Sequence, residues 1–159
     1  LIFILSLFIS NISYSNDYFN ALELFNKRKI NESVKFFQNV AKDEKNPKRS
    51  DAMFNLAVIF DNGFGISANK TRALFYYEAA SDLSNAYAQY NLGWKYYNGE
   101  NVNKDVIKAF QLYKAASDFG HPQAMYNFLS TRFSSTSLII QEKKSMAGTM
   151  YASIPITFP

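Results

Sequence analysis

Apolar and polar residues recur with helical spacing through most of the chain, and one long stretch of that pattern is followed by a close copy of itself. From Asp17 to Arg28, the residues Phe19, Leu22, Leu24 and Phe25 fall close to three and four apart, which predicts an amphipathic helix. Asn31 is expected to cap a second helix whose apolar stripe is Val34, Phe36, Phe37, Val40 and Ala41. A turn of two or three residues between them gives an αα-hairpin.

The copy appears when the chain is shifted by 36 residues. Ala52 then falls on Ala88, Asn55 on Asn91, Leu56 on Leu92, Asn62 on Asn98 and Gly63 on Gly99. Further on, Ala73 falls on Ala109, Tyr77 on Tyr113, and the run Ala79 to Asp82 on Ala115 to Asp118. These 11 identities are concentrated on small residues, glycines and aromatics, which excludes chance. A third copy starts at Pro122 and keeps the register through Ala124, Tyr126 and Asn127. A period of this length is the signature of a solenoid whose units stack on their neighbours.

Each unit has a physical logic. Ser50 is expected to cap a helix that runs to about Asn62, with Ala52, Leu56 and Ile59 or Phe60 facing inward. Gly63 and Gly99 are placed to end the first helices in the left-handed conformation. Ile66 and Val102 are expected to fold back under the hairpin, and Asn69 and Asp105 to cap the second helices. Ala73, Tyr77 and Ala80 share one face of such a helix, as do Ala109, Tyr113 and Ala116. Alanine lets helix axes approach, and the tyrosine fills the space between hairpins.

These segments, AMFNLAVIFDNGFGISANKTRALFYYEAASD and AQYNLGWKYYNGENVNKDVIKAFQLYKAASDFG, resemble the Sel-like repeat family, a tetratricopeptide-related class of α/α repeats. The resemblance covers Ala52 to about Phe128, with Ala57 standing where the family usually has the glycine present at Gly93. It implies an all-α fold, an α/α solenoid of stacked antiparallel hairpins with a tetratricopeptide-like superhelical course. The repeat domain is expected over 16–133, with a degenerate hairpin at 17–44, repeats at 51–86 and 87–122, and a partial repeat at 123–133. Scaffolds of this family bind other proteins, and exported bacterial members are linked to envelope, stress and host-interaction roles.

Both ends depart from the repeat. Residues 1–15 open with the uncharged run LIFILSLFI and reach Ser13-Tyr14-Ser15, small residues where a signal peptidase would read them. They are expected to be a signal-peptide remnant, which places the mature protein in the periplasm or outside the cell; a first buried element or a retained anchor is the alternative. Nine apolar residues are too few for a spanning helix, so no stable membrane span is expected in the mature form. Residues 134–159 are expected to form a weakly ordered or truncated tail.

Composition narrows the function. With no cysteine and one histidine, thiol catalysis, disulfide staples and most transition-metal sites are excluded, and no cofactor is expected. Lys27 to Arg49 holds eight basic and three acidic residues, more than the whole excess of +4, so the remainder is slightly acidic. That cluster reads as solvated helix faces or as a patch for an acidic partner or anionic lipid. Nucleic acid is disfavoured because the positive charge is interrupted and has no recognised motif.

No nucleophile elbow, zinc-binding pair or phosphate-cradling loop is present. His121 is expected in a solvent-facing turn, Asp61 at the end of a helix surface, and Asp105 as a cap. With Glu78 and Glu100, these carboxylates are the material for a cell-wall-linked enzyme module hydrolysing peptidoglycan or a β-lactam, the alternative to a scaffold; a structural segment of a longer repeat protein is another. The favoured reading is a non-catalytic scaffold that binds a protein or peptide. By resemblance to tetratricopeptide relatives, the first helix of each hairpin lines the groove, through Phe54, Asn55, Tyr90, Asn91, Trp94 and Lys95. The asparagines can serve a bound peptide backbone or a neighbouring hairpin, and Trp94 can anchor a partner or pack between hairpins.

Overall fold

The computed structural model describes residues 16–132; the signal-peptide and tail expectations, 1–15 and 134–159, lie outside them. Seven helices and no strands occur among the described residues. They are α1 (16–26), α2 (Ile30–Lys42), α3 (Arg49–Asn62), α4 (Lys70–Asp82), α5 (Ala86–Asn98), α6 (Val106–Asp118) and α7 (124–132). Successive pairs are hairpins, and the hairpins pack in order through α2 on α3 and α4 on α5. This is the all-α helical-hairpin solenoid that the period predicts.

Equivalent residues do equivalent work along the stack. Ala52, Ala88 and Ala124 are fully buried, as are Ala80 and Ala116, and these small side chains let the helix axes come together. Tyr77 and Tyr113 fill the space between hairpins and are each 2% exposed. At the degenerate first hairpin Phe37 holds the tyrosine's position, 1% exposed and edge-on to Tyr18 at 5.8 Å, as Tyr77 meets Phe54. There the Ser33 hydroxyl donates to the Ala21 carbonyl at 2.8 Å, closing α1 onto α2.

Helix ends obey the same repeat. Gly63 and Gly99 are left-handed at φ 68° and 76°, and their N–H groups reach the Ile59 and Lys95 carbonyls. Asn69 and Asp105 cap α4 and α6 by accepting from the Arg72 and Lys108 N–H groups at 2.9 and 2.8 Å. Ile66 packs back against the core as expected. Two expected caps move. Helix α2 starts at Ile30, one residue before Asn31, and α3 starts at Arg49, one before Ser50, each without a side-chain cap. Asn85, not singled out from the sequence, caps α5 by accepting from the Ala88 N–H at 3.0 Å.

Candidate functional site

The first helices α1, α3, α5 and α7 contribute to a series of clefts. One, of about 460 Å³, is mainly apolar, between Leu22, Phe25, Asn55, Val58 and Phe64. A second, of about 350 Å³, is bounded by Asp61, Lys70, Tyr77, Asn91, Trp94, Lys95 and Glu100. A third, of about 320 Å³, is aromatic and uncharged, between Tyr90, Trp94, Tyr97, Tyr113, Asn127 and Thr131. Trp94 is the wall common to the last two. Its side chain is 45% exposed and makes no ring contact among the described residues, so packing between hairpins does not consume it.

The other five predicted groove residues are more committed. Phe54 leans on Tyr77 and Tyr87, with centroids 6.3 and 5.8 Å apart. Tyr90 leans on Tyr113 at 5.7 Å, the repeat equivalent of the Phe54–Tyr77 contact, and stacks on His121 at 4.1 Å. Asn55 donates through Nδ2 to the Tyr18 hydroxyl at 3.1 Å, and Asn91 to the Tyr77 hydroxyl at 3.5 Å. Both residues are half-buried, and each lines a cleft.

Lys95 is a correction: expected at the exposed groove surface, it is 4% exposed. The reason is charge. Its ammonium lies 2.8 Å from Asp61 and 3.1 Å from Glu100, and Lys70 lies 2.8 Å from Asp61. Two cations and two carboxylates therefore neutralise one another at the junction of the hairpins. Asp61 is correspondingly no free surface carboxylate. Burial pushes its pKa up, but hydrogen bonds and charge from Lys70 and Lys95 outweigh that and hold it below the usual carboxylate range. The Tyr77 hydroxyl also donates to Asp61 at 3.4 Å; burial first, and Asp61 next, push that phenol far above its ordinary value.

His121 is also corrected. It is 8% exposed rather than solvent-facing, because its ring is enclosed by Tyr90 and by the edge of Tyr87 at 5.0 Å. Nδ1 has no partner, and burial lowers the imidazole pKa. Of the remaining carboxylates, Glu78 accepts from the Tyr96 hydroxyl at 3.5 Å and Asp105 caps α6. The carboxylates weighed for catalysis thus have structural partners, and no cluster of three metal-ligating side chains occurs among the described residues.

The Sel1 repeat profile matches residues 50–85 and 86–121, one position before the repeat boundaries read from the sequence. Residues 50–121 are two Sel1 repeats. The chain's fold is similar to the crystal structure of a Sel1 repeat protein from Oxalobacter formigenes, with a TM-score of 0.60 and 24% identity over 69% of this chain. It is also similar to c5321, a protective antigen present in uropathogenic Escherichia coli strains and displaying an SLR fold, with a TM-score of 0.66 and 21% identity over 76% of this chain. The chain spans 44% and 26% of the length of those two. No curated protein sequence matches it. Sel1 repeats generally mediate protein–protein interaction, and the scaffold here fits an interaction module. None of the described helices is long and apolar enough to cross a membrane.

Proposed function

We propose that this Sel1-repeat scaffold works without catalysis, by holding a peptide segment of a partner protein against the face built by α3, α5 and α7. The observation that carries the proposal is Trp94, a large aromatic left 45% exposed between two clefts while its aromatic neighbours pack on one another. Exposed tryptophan beside a recess is the typical energetic anchor of an interface. Around it, Asn91 and Asn127 line the adjoining clefts and offer amide groups to an extended backbone. The neutral charge quartet at Asp61, Lys70, Lys95 and Glu100 fixes the wall of the site and leaves its selectivity to shape and hydrogen bonding.

The proposed location is the bacterial envelope or the exterior. The apolar run and the Ser13-Tyr14-Ser15 triplet of residues 1–15 support it, as does fold similarity to a protective antigen. A random 12-residue peptide library selected on the immobilised protein tests the site. Selected peptides should lose more than tenfold in affinity on Trp94→Ala, with helical circular dichroism unchanged. Peptides that bind the variant equally well would rule the Trp94 face out.

A further inference from the structure

A fourth cleft, of about 580 Å³, opens on the second-helix side of the stack, between α2, the 63–69 loop and the start of α4. We propose that it, with the lysine strip that continues along α2, is a separate docking surface for an acidic peptide segment of a partner protein. Its walls carry Lys35 and Arg72 and no carboxylate. Lys35 is exposed and has no hydrogen bond or ion pair among the described residues. The Arg72 guanidinium is held 4.0 Å over the Phe60 ring and has no acidic partner there, so its edges can donate to a ligand. Asn69 spends its carbonyl oxygen on the Arg72 N–H, which leaves its NH2 group to donate, and Gln38 adds a further amide. In the Trp94 cleft two carboxylates cancel two lysines; here two cations stand unneutralised.

The repeat shows that this charge is not a requirement of the scaffold. The buried Ser33, Phe37 and Val40 of α2 correspond to Ala73, Tyr77 and Ala80 of α4, so Phe75 and Asp82 stand where α2 has Lys35 and Lys42. Lys108, equivalent to Arg72, donates to the Tyr96 hydroxyl at 2.6 Å, which in turn reaches Glu78. The second junction thus has a carboxylate beside its cation, and the first does not. Helix α2 contains one acidic residue, Glu32, and its carboxylate is turned to Lys29 at 3.8 Å.

Spacing selects the ligand. Asn31, Lys35, Gln38 and Lys42 succeed one another at four, three and four residues along one face of α2. Lys35 and Lys42 are therefore roughly 10 Å apart along the axis, farther than one phosphate group reaches and about three residues of an extended chain. A recess lined by amides matches the carbonyls and carboxylates of such a chain better than a plane of lipid headgroups.

The test is fluorescence anisotropy of a labelled 12-residue peptide of alternating Glu and Ser, with the full chain. Lys35→Glu/Lys42→Glu should weaken binding at least tenfold, whereas the charge-matched Lys104→Glu/Lys114→Glu should change it less than twofold. Trp94→Ala should leave it unchanged, so this surface and the Trp94 face fail or stand independently. All four lysines are exposed, so circular dichroism should be the same for every variant. Equal loss in both double variants would overturn the site in favour of diffuse attraction. Peptide binding that ignores Lys35→Glu/Lys42→Glu, or selective loss of binding to phosphatidylglycerol vesicles or inorganic phosphate in its place, would overturn the acidic peptide as its ligand.

Discussion

Asn91 donates its amide to the hydroxyl of Tyr77 at 3.5 Å, joining the first helix of one Sel1 repeat to the second helix of the one before. One period later Asn127 and Tyr113 line the same cleft, and burial pushes the Tyr113 phenol up to about 12. In the hairpin before, Phe37 stands in the tyrosine's place and offers no hydroxyl, and Asn55 turns to Tyr18 on α1 at 3.1 Å. The repeated asparagine is thus a clasp between neighbouring hairpins. Tyr77→Phe should cost about 1 to 2 kcal/mol by urea denaturation, since it deprives both Asn91 and Asp61 of a partner. A double-mutant cycle with Asn91→Ala should show coupling of about 0.5 kcal/mol or more, and additive effects would deny the clasp.

Gly93 faces the Tyr113 ring. A Cβ at this position would lie 3.0 Å from two ring carbons and 3.4 Å from the Ala109 carbonyl oxygen. Tyr113 is 2% exposed and has little room to yield. Gly93→Ala should therefore destabilise by about 1 kcal/mol, the gain of roughly 1 kcal/mol in helix propensity being outweighed by overpacking. A raised melting temperature would show that the two helices can part.

His121 couples folding to pH. Burial lowers its pKa in the folded chain, so the unfolded chain takes up the proton first as pH falls. Stability from the neutral imidazole is complete above the unfolded value of about 6.5 and declines as pH drops through the lower folded value. His121→Asn installs the residue that caps α5 one period earlier, at Asn85. Urea midpoints measured from pH 7.5 to 5 should fall for the parent chain and fall less for this variant; parallel curves would contradict the assignment.

Asp61 acts lower on the scale. Its folded pKa is depressed, so its contribution is present above the ordinary carboxylate value of about 4 and is lost below it. The stability gap between the parent chain and Asp61→Asn should stay constant from pH 7 to 5 and narrow near pH 3. Lys95→Met should cost about 2 kcal/mol at pH 7, less than a fully orphaned buried charge, because Lys70 still neutralises Asp61. No cost at all would mean the buried ammonium is dispensable.

Much of the architecture was legible in single residues. Glycine at 63 and 99 marked two helix ends because those ends are left-handed, and Asn69 and Asp105 marked two starts because their side chains meet a free N–H. Lys95 and His121 misled because residue type was weighed above position. The columns of the repeat held the correcting signal: Lys95 aligns with Ile59 and Thr131, each 2% exposed, and His121 aligns with Asn85, which is also buried. What no column shows is the pairing of Lys95 with Asp61 and Glu100, because the equivalents of those two acids are Tyr97 and Phe64. Trp94 aligns with half-buried Val58 and exposed Ser130, so its outward position was readable, while the two clefts it divides required the packed helices.

Trp94 is the one tryptophan of the chain, so its fluorescence reports on the proposed groove without labelling. Titration with a library-selected peptide should blue-shift its emission and protect it from iodide quenching, with a midpoint equal to the dissociation constant measured by calorimetry. Saturating calorimetric binding that leaves both the emission and the quenching of Trp94 unchanged would place the partner elsewhere and contradict the account.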